Sequence, residues 1–433
     1  MTFVIVALSL ALGFASAASA APIVSLPAAP AGEPALVIRA QITPAAARVF
    51  AGGSLVFNST VAGADDGTIA WSVIGAGTVG GDGVYHAPST PGGRAIVVAT
   101  ARGASAAAAV TIVAPPPAAR PVMLVACYGD GSIDVRDAAN SESIGTTAIG
   151  GSADGIAADA RAHLAVIGGG DRVGIFDPTS GSTTFSAPVS GARFSEVALL
   201  AGGYAAATDN LADAGRDGVR IFGPVAIGRA PALAGSVPAG DTPEGVAVAA
   251  DGRTFYVTNV NSNSVMRFAF DARGDARLTG AARTGHRPFG VAIDDARKLL
   301  FVADNDTATL SGTASNPGLE VFSLPSLRRV ARIGTGSPDA LPLGIAIDPA
   351  ANKLFVTNEG DGDVAAFSID PLRRLATLPS GRAPWLPAVD RERGLVHVPN
   401  AEDGTISTFD VRTLRPLDRA APTCGYPTSL ATE

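Results

Sequence analysis

One pattern recurs along most of this chain and limits what it can fold into. Residues 245–259 read GVAVAADGRTFYVTN, and the arrangement returns at 290–305 (GVAIDDARKLLFVADN) and 344–358 (GIAIDPAANKLFVTN). Each copy has a small apolar strand, a tight turn and a β-rich strand that ends near an Asn. Aligned on the first Gly, the copies are spaced 41 to 54 residues apart and begin at Gly155, Glu196, Gly245, Gly290, Gly344, Leu386 and Ser429.

A repeat of about 45 residues with four short strands is typical of one blade of a β-propeller. A single four-stranded sheet cannot bury both faces unless neighbouring sheets stack on it. The repeat region opens at 123–134 with a second strand, and it closes at 425–433 with a first strand that lacks the other three. Together the two fragments complete one blade. The sequence therefore predicts an all-β fold, with a seven-bladed β-propeller over 122–433 whose C-terminal strand closes the first blade.

The bulk composition excludes some partners. The 433 residues carry a formal net charge of −7 and contain no run of five Lys or Arg, so we expect no nucleic acid partner, because phosphate binding needs clustered cations. The 51 Gly and 31 Pro suit many short strands joined by tight turns. No later segment approaches the roughly 18 apolar residues of a membrane span. We expect no transmembrane segment and a monomer.

The N-terminus predicts export. Residues 1–20 combine an apolar core with small residues, and Ala18-Ser19-Ala20 has the form of a signal-peptide cleavage site. The apolar part is too short to cross the ~30 Å of a bilayer core. An Ala/Pro-rich stalk follows at 21–35. We expect the mature chain in the periplasm, in the extracellular medium or on the cell surface.

A second folded region precedes the repeats. Residues 36–114 contain six short alternating runs bounded by turn-forming residues, which predict a small β-sandwich. Residues 115–121, PPPAARP, predict a stiff linker because consecutive prolines favour an extended backbone. The predicted organisation is therefore a sandwich, a linker and a propeller.

Two families resemble these regions. The GVAV and GIAI strands and the strand ends at 256–259 (YVTN), 355–358 (FVTN) and 397–400 (HVPN) resemble the YVTN-repeat β-propellers. That family includes cell-surface proteins and is related to lactonase-type propellers. The order of Pro44, Gly53, Trp71, the GVYHAP segment and the closing VTIV resembles the bacterial Ig-like (group 2) domain. This resemblance implies that Trp71 is a core residue.

The mouth of the propeller channel is the expected site. In this fold the residue immediately before each first Gly should point into that mouth. We call these seven residues the mouth ring: Asp154, Ser195, Glu244, Phe289, Leu343, Trp385 and Thr428. Three consecutive blades offer polar or acidic groups and the next three offer apolar ones. The long segments 208–219 and 303–321 and the loop residues His286, Arg287 and Arg382 should extend the same face.

The sequence favours a non-catalytic exported protein that binds a small molecule, a glycan or a protein at this face, without a cofactor. No G-x-S-x-G, H-E-x-x-H or C-x-x-C-H motif occurs. The alternative is a metal-dependent lactonase, similar to gluconolactonase-like propellers that hold a divalent cation at the channel mouth. In that alternative Ca²⁺ or another divalent cation would be bound by oxygen ligands from Asp154, Glu244, Asn259 and Asn305.

The only two cysteines, Cys127 and Cys424, should form a disulfide. An isolated pair in an exported chain favours a disulfide over a metal site, which would need further ligands. Alignment of the repeats places Cys127 at the end of one strand and Cys424 just before its antiparallel neighbour in the shared blade. The bond would then tie the ring closed.

Overall fold

The computed structural model describes residues 39–432, apart from 63–67, 102–103, 119, 211–216, 272, 307–316 and 418–419. These residues form an all-β structure of short strands joined into small sheets, as in a β-propeller, and no helix occurs among them. Nothing in this described part could cross a membrane as a helix. The predicted signal peptide (1–20) and stalk (21–35) lie outside the described residues, as do parts of both long loops.

Nine strands precede the repeat region: β1 (Arg39–Thr43), β2 (Ala46–Phe50), β3 (Ser54–Val56), β4 (Asn58–Ala62), β5 (Ala70–Gly75), β6 (Thr78–Val79), β7 (Val84–His86), β8 (Arg94–Ala101) and β9 (Ala104–Val113). They are ordered as β1–β4, β3–β7–β6 and β2–β9–β8–β5. One shared core joins the three groups and contains Ile42, Tyr85 and Val97. Trp71 packs against that core, as the family resemblance implied.

The first strands of the repeat region and the C-terminal strand build one sheet together. Strands β10 (Val122–Cys127), β11 (Ser132–Asp137) and β12 (Ser143–Ala148) are adjacent, and the C-terminal strand β37 (Pro427–Thr432) pairs antiparallel with β10. The predicted pairing of the C-terminal strand with the start of the repeat region is thus observed.

Six further sheets follow, each with strands in chain order. The first three contain β13 (Gly155–Asp159), β14 (Leu164–Gly169), β15 (Arg172–Asp177) and β16 (Ser182–Phe185); β17 (Phe194–Leu200), β18 (Tyr204–Asp209), β19 (Gly218–Gly223) and β20 (Ala232–Pro238); and β21 (Pro243–Val248), β22 (Thr254–Asn259), β23 (Ser264–Phe270) and β24 (Ala276–Arg283). The last three contain β25 (Pro288–Asp294), β26 (Leu299–Asp304), β27 (Gly318–Ser323) and β28 (Arg328–Gly334); β29 (Pro342–Asp348), β30 (Lys353–Asn358), β31 (Asp363–Ser368) and β32 (Arg373–Pro379); and β33 (Ala388–Asp390), β34 (Leu395–Asn400), β35 (Thr405–Asp410) and β36 (Ala421–Pro422).

Neighbouring sheets pack face to face, which explains the burial pattern. Second strands such as β22 and β30 are buried on both faces after their first residue. The third strands of the six sheets each contribute one fully buried aromatic ring, namely Phe176, Phe222, Phe268, Phe322, Phe367 and Phe409. Fourth strands such as β28 are largely exposed. Each sheet therefore runs from a buried inner edge to a solvated outer edge.

The innermost strands contact one another in a single series. β37 contacts β13, and the contacts continue through β17, β21, β25, β29 and β33 back to β37. A central cavity of about 170 Å³ is lined by residues at or just before each of these seven strands. This arrangement brings one end of every first strand to a common mouth.

The first sheet continues into the N-terminal strands. Val49 of β2 pairs with Thr146 of β12, so β2–β9–β8–β5 extends the β37–β10–β11–β12 sheet to eight strands. Phe50 is fully buried in the same core as residues of β10 to β15. The Arg48 guanidinium also donates a hydrogen bond of 3.1 Å to the Ile144 carbonyl oxygen. The sequence predicted a linker at 115–121 but did not predict this direct contact.

The disulfide between Cys127 and Cys424 is present, as predicted. Their Cα atoms are 5.9 Å apart, within the range that a disulfide requires. The bond joins the end of β10 to the segment that leads into β37. It therefore reinforces the pairing between the two ends of the repeat region.

Candidate active site

A repeated backbone irregularity places the mouth ring. The pairing of first and second strands shifts register between Phe194 and Val197, and again at the equivalent points of β21, β25 and β29. Each shift is a bulge that contains a mouth-ring residue and the residue after it. Bulges re-aim side chains at sheet edges and are frequent beside active sites. The repeat thus positions side chains at the mouth through bulges that its sequence pattern alone does not predict.

Threonine hydroxyls hold these bulges against the next sheet. The Thr208 hydroxyl accepts a hydrogen bond from the Glu196 N–H at 3.0 Å and donates one to the Glu244 carbonyl oxygen at 2.9 Å. Thr258 and Thr357 make the same two contacts in later sheets, to Phe289 and Trp385 respectively. Thr428 donates to the Asp154 carbonyl oxygen at 2.9 Å. The threonine of the repeat is therefore a structural bridge.

Glu244 is the most firmly held acid of the mouth ring. Its carboxylate oxygens accept hydrogen bonds from the Ser195 hydroxyl at 2.5 Å and from the Asn210 side-chain amide at 2.6 Å. Burial raises the pKa of Glu244, while these hydrogen bonds and the charges of Arg193 and Arg287 lower it in part. The structure thus brings together the predicted residues Ser195 and Glu244 from neighbouring sheets.

Asp154 has a pKa suited to proton transfer near neutral pH. Burial raises its pKa to about 7; the Arg193 charge opposes this shift and the Glu244 charge adds to it. Asp154 is partly accessible and lines a cavity of about 330 Å³, which we call the mouth pocket. The other lining residues are Tyr128, Gly129, Arg193, Trp385, Tyr426 and Thr428.

Glu196 is a third acid that the sequence analysis did not single out as functional. It lines the central cavity, where the other first strands contribute Gly or uncharged residues. Burial and the charges of Glu244 and Asp154 raise its pKa well above the usual range of a glutamate. Its charge is the sequence signal that identifies it, because Glu196 is the only charged residue at the aligned first position of the repeat.

Aromatic rings form the other side of the mouth. Trp385 contacts Phe289 with ring centroids 6.2 Å apart and Tyr426 at 6.0 Å, and Tyr426 contacts Tyr128 at 6.2 Å. Of these rings, the sequence predicted Phe289 and Trp385 for the site and missed the two tyrosines. Tyr128 and Tyr426 flank the disulfide, and the Tyr128 N–H donates to the Tyr426 carbonyl oxygen at 3.0 Å. The closure of the chain ends therefore builds part of the pocket wall.

The predicted loop residues lie at the rim rather than in the mouth pocket. Arg287 is exposed and acts on Glu244 through its charge, whereas the exposed His286 makes no hydrogen bond or ion pair within the described residues. Arg382 forms ion pairs with Asp403 and Glu402 at the surface. Leu343 is buried.

Two of the four residues predicted to bind a cation already use their side-chain oxygens in hydrogen bonds. Both carboxylate oxygens of Glu244 already accept hydrogen bonds, and the Asn259 side-chain oxygen accepts one of 2.9 Å from the Gly240 N–H. Asn259 and Asn400 clamp the loop before their sheet to its third strand, and Asn305 lies directly after β26 in a buried position. No group of three or more His, Cys, Asp or Glu side chains suited to a metal was found in the described part of the chain.

Comparison with known proteins identifies the fold. No family model and no curated protein matches the chain. Similar solved structures include a putative 6-phosphogluconolactonase from Bacteroides fragilis, at 14% identity and a TM-score of 0.60, covering 74% of this chain and 99% of that one. A periplasmic gluconolactonase from Pseudomonas aeruginosa is 15% identical, with a TM-score of 0.58 and coverage of 72% and 98%. Hydrazine synthase from Kuenenia stuttgartiensis is also similar, at 15% identity, a TM-score of 0.56 and coverage of 69% and 94%.

These similarities support the all-β propeller architecture, because at such low identity they inform on the fold alone. The names of these structures, as distinct from their fold similarity, contradict the predicted function. Several of the similar structures are named as lactonases, which agrees better with the lactonase alternative than with the non-catalytic binding protein favoured by the sequence. The non-catalytic prediction was wrong because it gave the apolar half of the mouth ring more weight than the acids.

Proposed function

We propose that this protein hydrolyses a lactone at the mouth of its central channel. The observation that carries the proposal is the grouping of Asp154, Glu196 and Glu244 from three consecutive sheets beside an aromatic pocket. Their mutual charges are close enough to shift each other's pKa. Strongly shifted carboxyl groups in a cleft are typical of sites that transfer protons. The lactonase names of the similar structures support this reaction over other hydrolyses.

Asp154 is the proposed general base. With a pKa of about 7 it is substantially ionised at neutral pH and still basic enough to accept a proton. Its carboxylate takes a proton from a water molecule as the water oxygen bonds to the lactone carbonyl carbon. The carbonyl oxygen becomes an oxyanion, and Arg193, which also lines the mouth pocket, stabilises that charge.

Glu196 is the proposed general acid. Burial and the neighbouring acids raise its pKa well above the usual range of a glutamate, which favours the protonated form, and its carboxyl group makes no hydrogen bond to other described residues. When the carbon–oxygen bond of the ring breaks, Glu196 gives its proton to the departing ring oxygen, which becomes the hydroxyl of a hydroxy acid. The proton taken by Asp154 returns to Glu196 through solvent before the next cycle. Glu244 stays fixed by Ser195 and Asn210 and maintains the charge of the cluster.

No step of this proposal is assigned to a cation, because the side-chain oxygens of Glu244 and Asn259, two of the four predicted ligands, already accept hydrogen bonds. We also propose that residues 122–433 form a closed seven-bladed propeller with an Ig-like module at 36–114. The unbroken series of contacts among seven first strands supports the blade number. Export is proposed as well, supported by the disulfide and by the sequence of residues 1–20.

The test is hydrolysis of D-glucono-1,5-lactone followed by proton release at pH 7, with spontaneous opening subtracted. We expect Asp154→Asn and Glu196→Gln each to lower kcat at least about 100-fold, the range typical of lost acid–base catalysis. Glu392→Gln is a matched control, because Glu392 is an exposed carboxylate in the turn between β33 and β34. Wild-type rates equal to the spontaneous rate across a panel of five- and six-membered lactones would refute the proposal.

A further inference from the structure

The mouth pocket presents an aromatic surface to its ligand. The contacts from Phe289 through Trp385 and Tyr426 to Tyr128 make a continuous wall. Sugar rings place their apolar C–H faces on such surfaces, while polar groups at one end of a pocket set the orientation. Here Asp154 and Arg193 supply that polar end. The cavity of about 330 Å³ lies at the lower end of the range for small-molecule sites, which suits a single ring.

Acidic side chains lie near this wall. The charges of Glu359 and Glu402 act on the Tyr426 hydroxyl and contribute to its raised pKa after the larger effect of burial. Glu359 lies near Trp385, whose indole N–H has no hydrogen-bond partner among the described residues, and burial raises the pKa of Glu359. Acidic side chains therefore lie near the aromatic wall at Trp385 and at Tyr426.

Cations near the pocket are few and mostly engaged. Arg382 is paired with Asp403 and Glu402 at the rim, and the charge of Arg287 acts on Glu244. Of the described residues that line the mouth pocket, Arg193 is the only cation, and its charge acts on Asp154. Phosphate groups are usually bound by bidentate arginines or by a helix N-terminus. The described part of the chain contains no helix, and Arg193 is already assigned to the reacting end.

We propose that the mouth pocket takes an uncharged sugar lactone and discriminates against the phosphate ester of the same lactone. This inference rests on the proposed lactone hydrolysis and specifies its substrate class. The aromatic wall binds the ring, and the described pocket lining offers a phosphate group no cation besides Arg193 at the reacting end. The charges of Glu359 and Glu402, which act on Tyr426, repel a phosphate dianion. The discrimination is electrostatic and therefore depends on ionic strength.

The experiment compares kcat/KM for D-glucono-1,5-lactone and its 6-phosphate. We expect a preference of about tenfold or more for the uncharged lactone in 10 mM salt, and a smaller preference in 0.5 M salt. In Glu359→Gln the ratio of the two kcat/KM values should move about threefold towards the phosphate ester. In the control Glu392→Gln the ratio should stay as in the wild type. An equal or higher kcat/KM for the phosphate ester would overturn the inference.

A binding measurement separates this inference from the proposed reaction. The non-hydrolysable 1,5-lactam of gluconic acid and its 6-phosphate can be titrated while tryptophan fluorescence is followed. The chain has two tryptophans, so Trp385→Phe removes the signal from the mouth pocket and leaves Trp71. Tighter binding of the lactam than of its phosphate, with no lactone hydrolysis, would refute the reaction and retain the charge selectivity. Tighter binding of the phosphate would refute the selectivity whatever the activity.

Discussion

Replacing Asp154 by Asn tests whether its buried position raises its pKa to about 7 and so makes it the general base. Because its pKa is about 7, only about 1% of Asp154 is ionised at pH 5. If the ionised form is the base, kcat/KM of the wild-type protein should fall tenfold per pH unit below 7 and about 100-fold by pH 5. The Asn variant should show no such pH dependence and only the residual rate.

The substitution Asp154→Asn should lower activity but raise the free energy of unfolding at pH 8. The folded protein holds the Asp154 proton more tightly than the unfolded chain, whose pKa is 3.8, so Asp154 makes stability fall as pH rises from about 4 to about 7. A difference of about 3 pKa units corresponds to an upper limit of about 4 kcal/mol at pH 8. Asp154 is partly accessible, and solvent screening reduces the expected effect to roughly 1–2 kcal/mol.

Urea denaturation of wild-type protein and Asp154→Asn at pH 4 and pH 8 measures this effect. We expect the variant to be more stable than the wild type by roughly 1–2 kcal/mol at pH 8 and equal to it at pH 4, where both side chains are uncharged. Glu392→Gln should change neither value. A variant that is less stable than the wild type at pH 8, or a wild-type kcat/KM that is flat from pH 5 to pH 8, would contradict the assigned role of burial.

Three further predictions concern the frame that holds the site. Cys127→Ala with Cys424→Ala opens a link spanning 297 residues and should lower the free energy of unfolding by at most about 6 kcal/mol, measured against the wild type without reductant. Gly290→Ala should cost about 2–3 kcal/mol because the new Cβ would lie 2.3 Å from the Leu343 carbonyl oxygen, whereas Gly334→Ala, which meets nothing within 4 Å, should change stability by under ~0.5 kcal/mol. Thr208→Val should cost about 1–3 kcal/mol in chemical denaturation by leaving buried backbone groups unpaired, and Thr208→Ser should recover most of it; equal losses would contradict the bridge.

Repetition made the architecture predictable from the sequence. Spacing between copies indicated four-stranded sheets, and the incomplete copies at 123–134 and 425–433 indicated that β10 and β37 would pair. The disulfide followed from the same alignment. The register of the repeat also aligned residues that meet across sheets, since Ser195 contacts Glu244 and Phe289 contacts Trp385. Each of these inferences needed only the register of the repeat.

Features that depend on departures from the repeat were not predicted. Tyr128 and Tyr426 line the pocket because the start of the repeat region and the C-terminal strand meet there. Tyr426 also has a left-handed backbone with φ of 54°. The pairing of Val49 with Thr146 joins regions far apart in sequence through a single parallel contact, which leaves no local pattern. The structural role of the Asn at the strand end was also not predicted, since Asn259 clamps a loop to its sheet.

The threonine bridges explain how a repeated frame can carry unrepeated chemistry. Each bridge fixes the backbone of a mouth-ring residue, as Thr208 does for Glu244 and Thr258 for Phe289, and it does so through carbonyl oxygens that every amino acid possesses. The side chain at that position is therefore free to vary while its backbone stays in place. Such a backbone restricts the positions available to a carboxylate, which is the condition for preorganised acid–base catalysis. The first position of the repeat is more restricted, because a Cβ at Gly245 would lie 2.3 Å from the Phe289 carbonyl oxygen. A charged residue at that position, Glu196, is thus a departure from the repeat, and it lines the central cavity, where the proposed reaction uses it as the general acid.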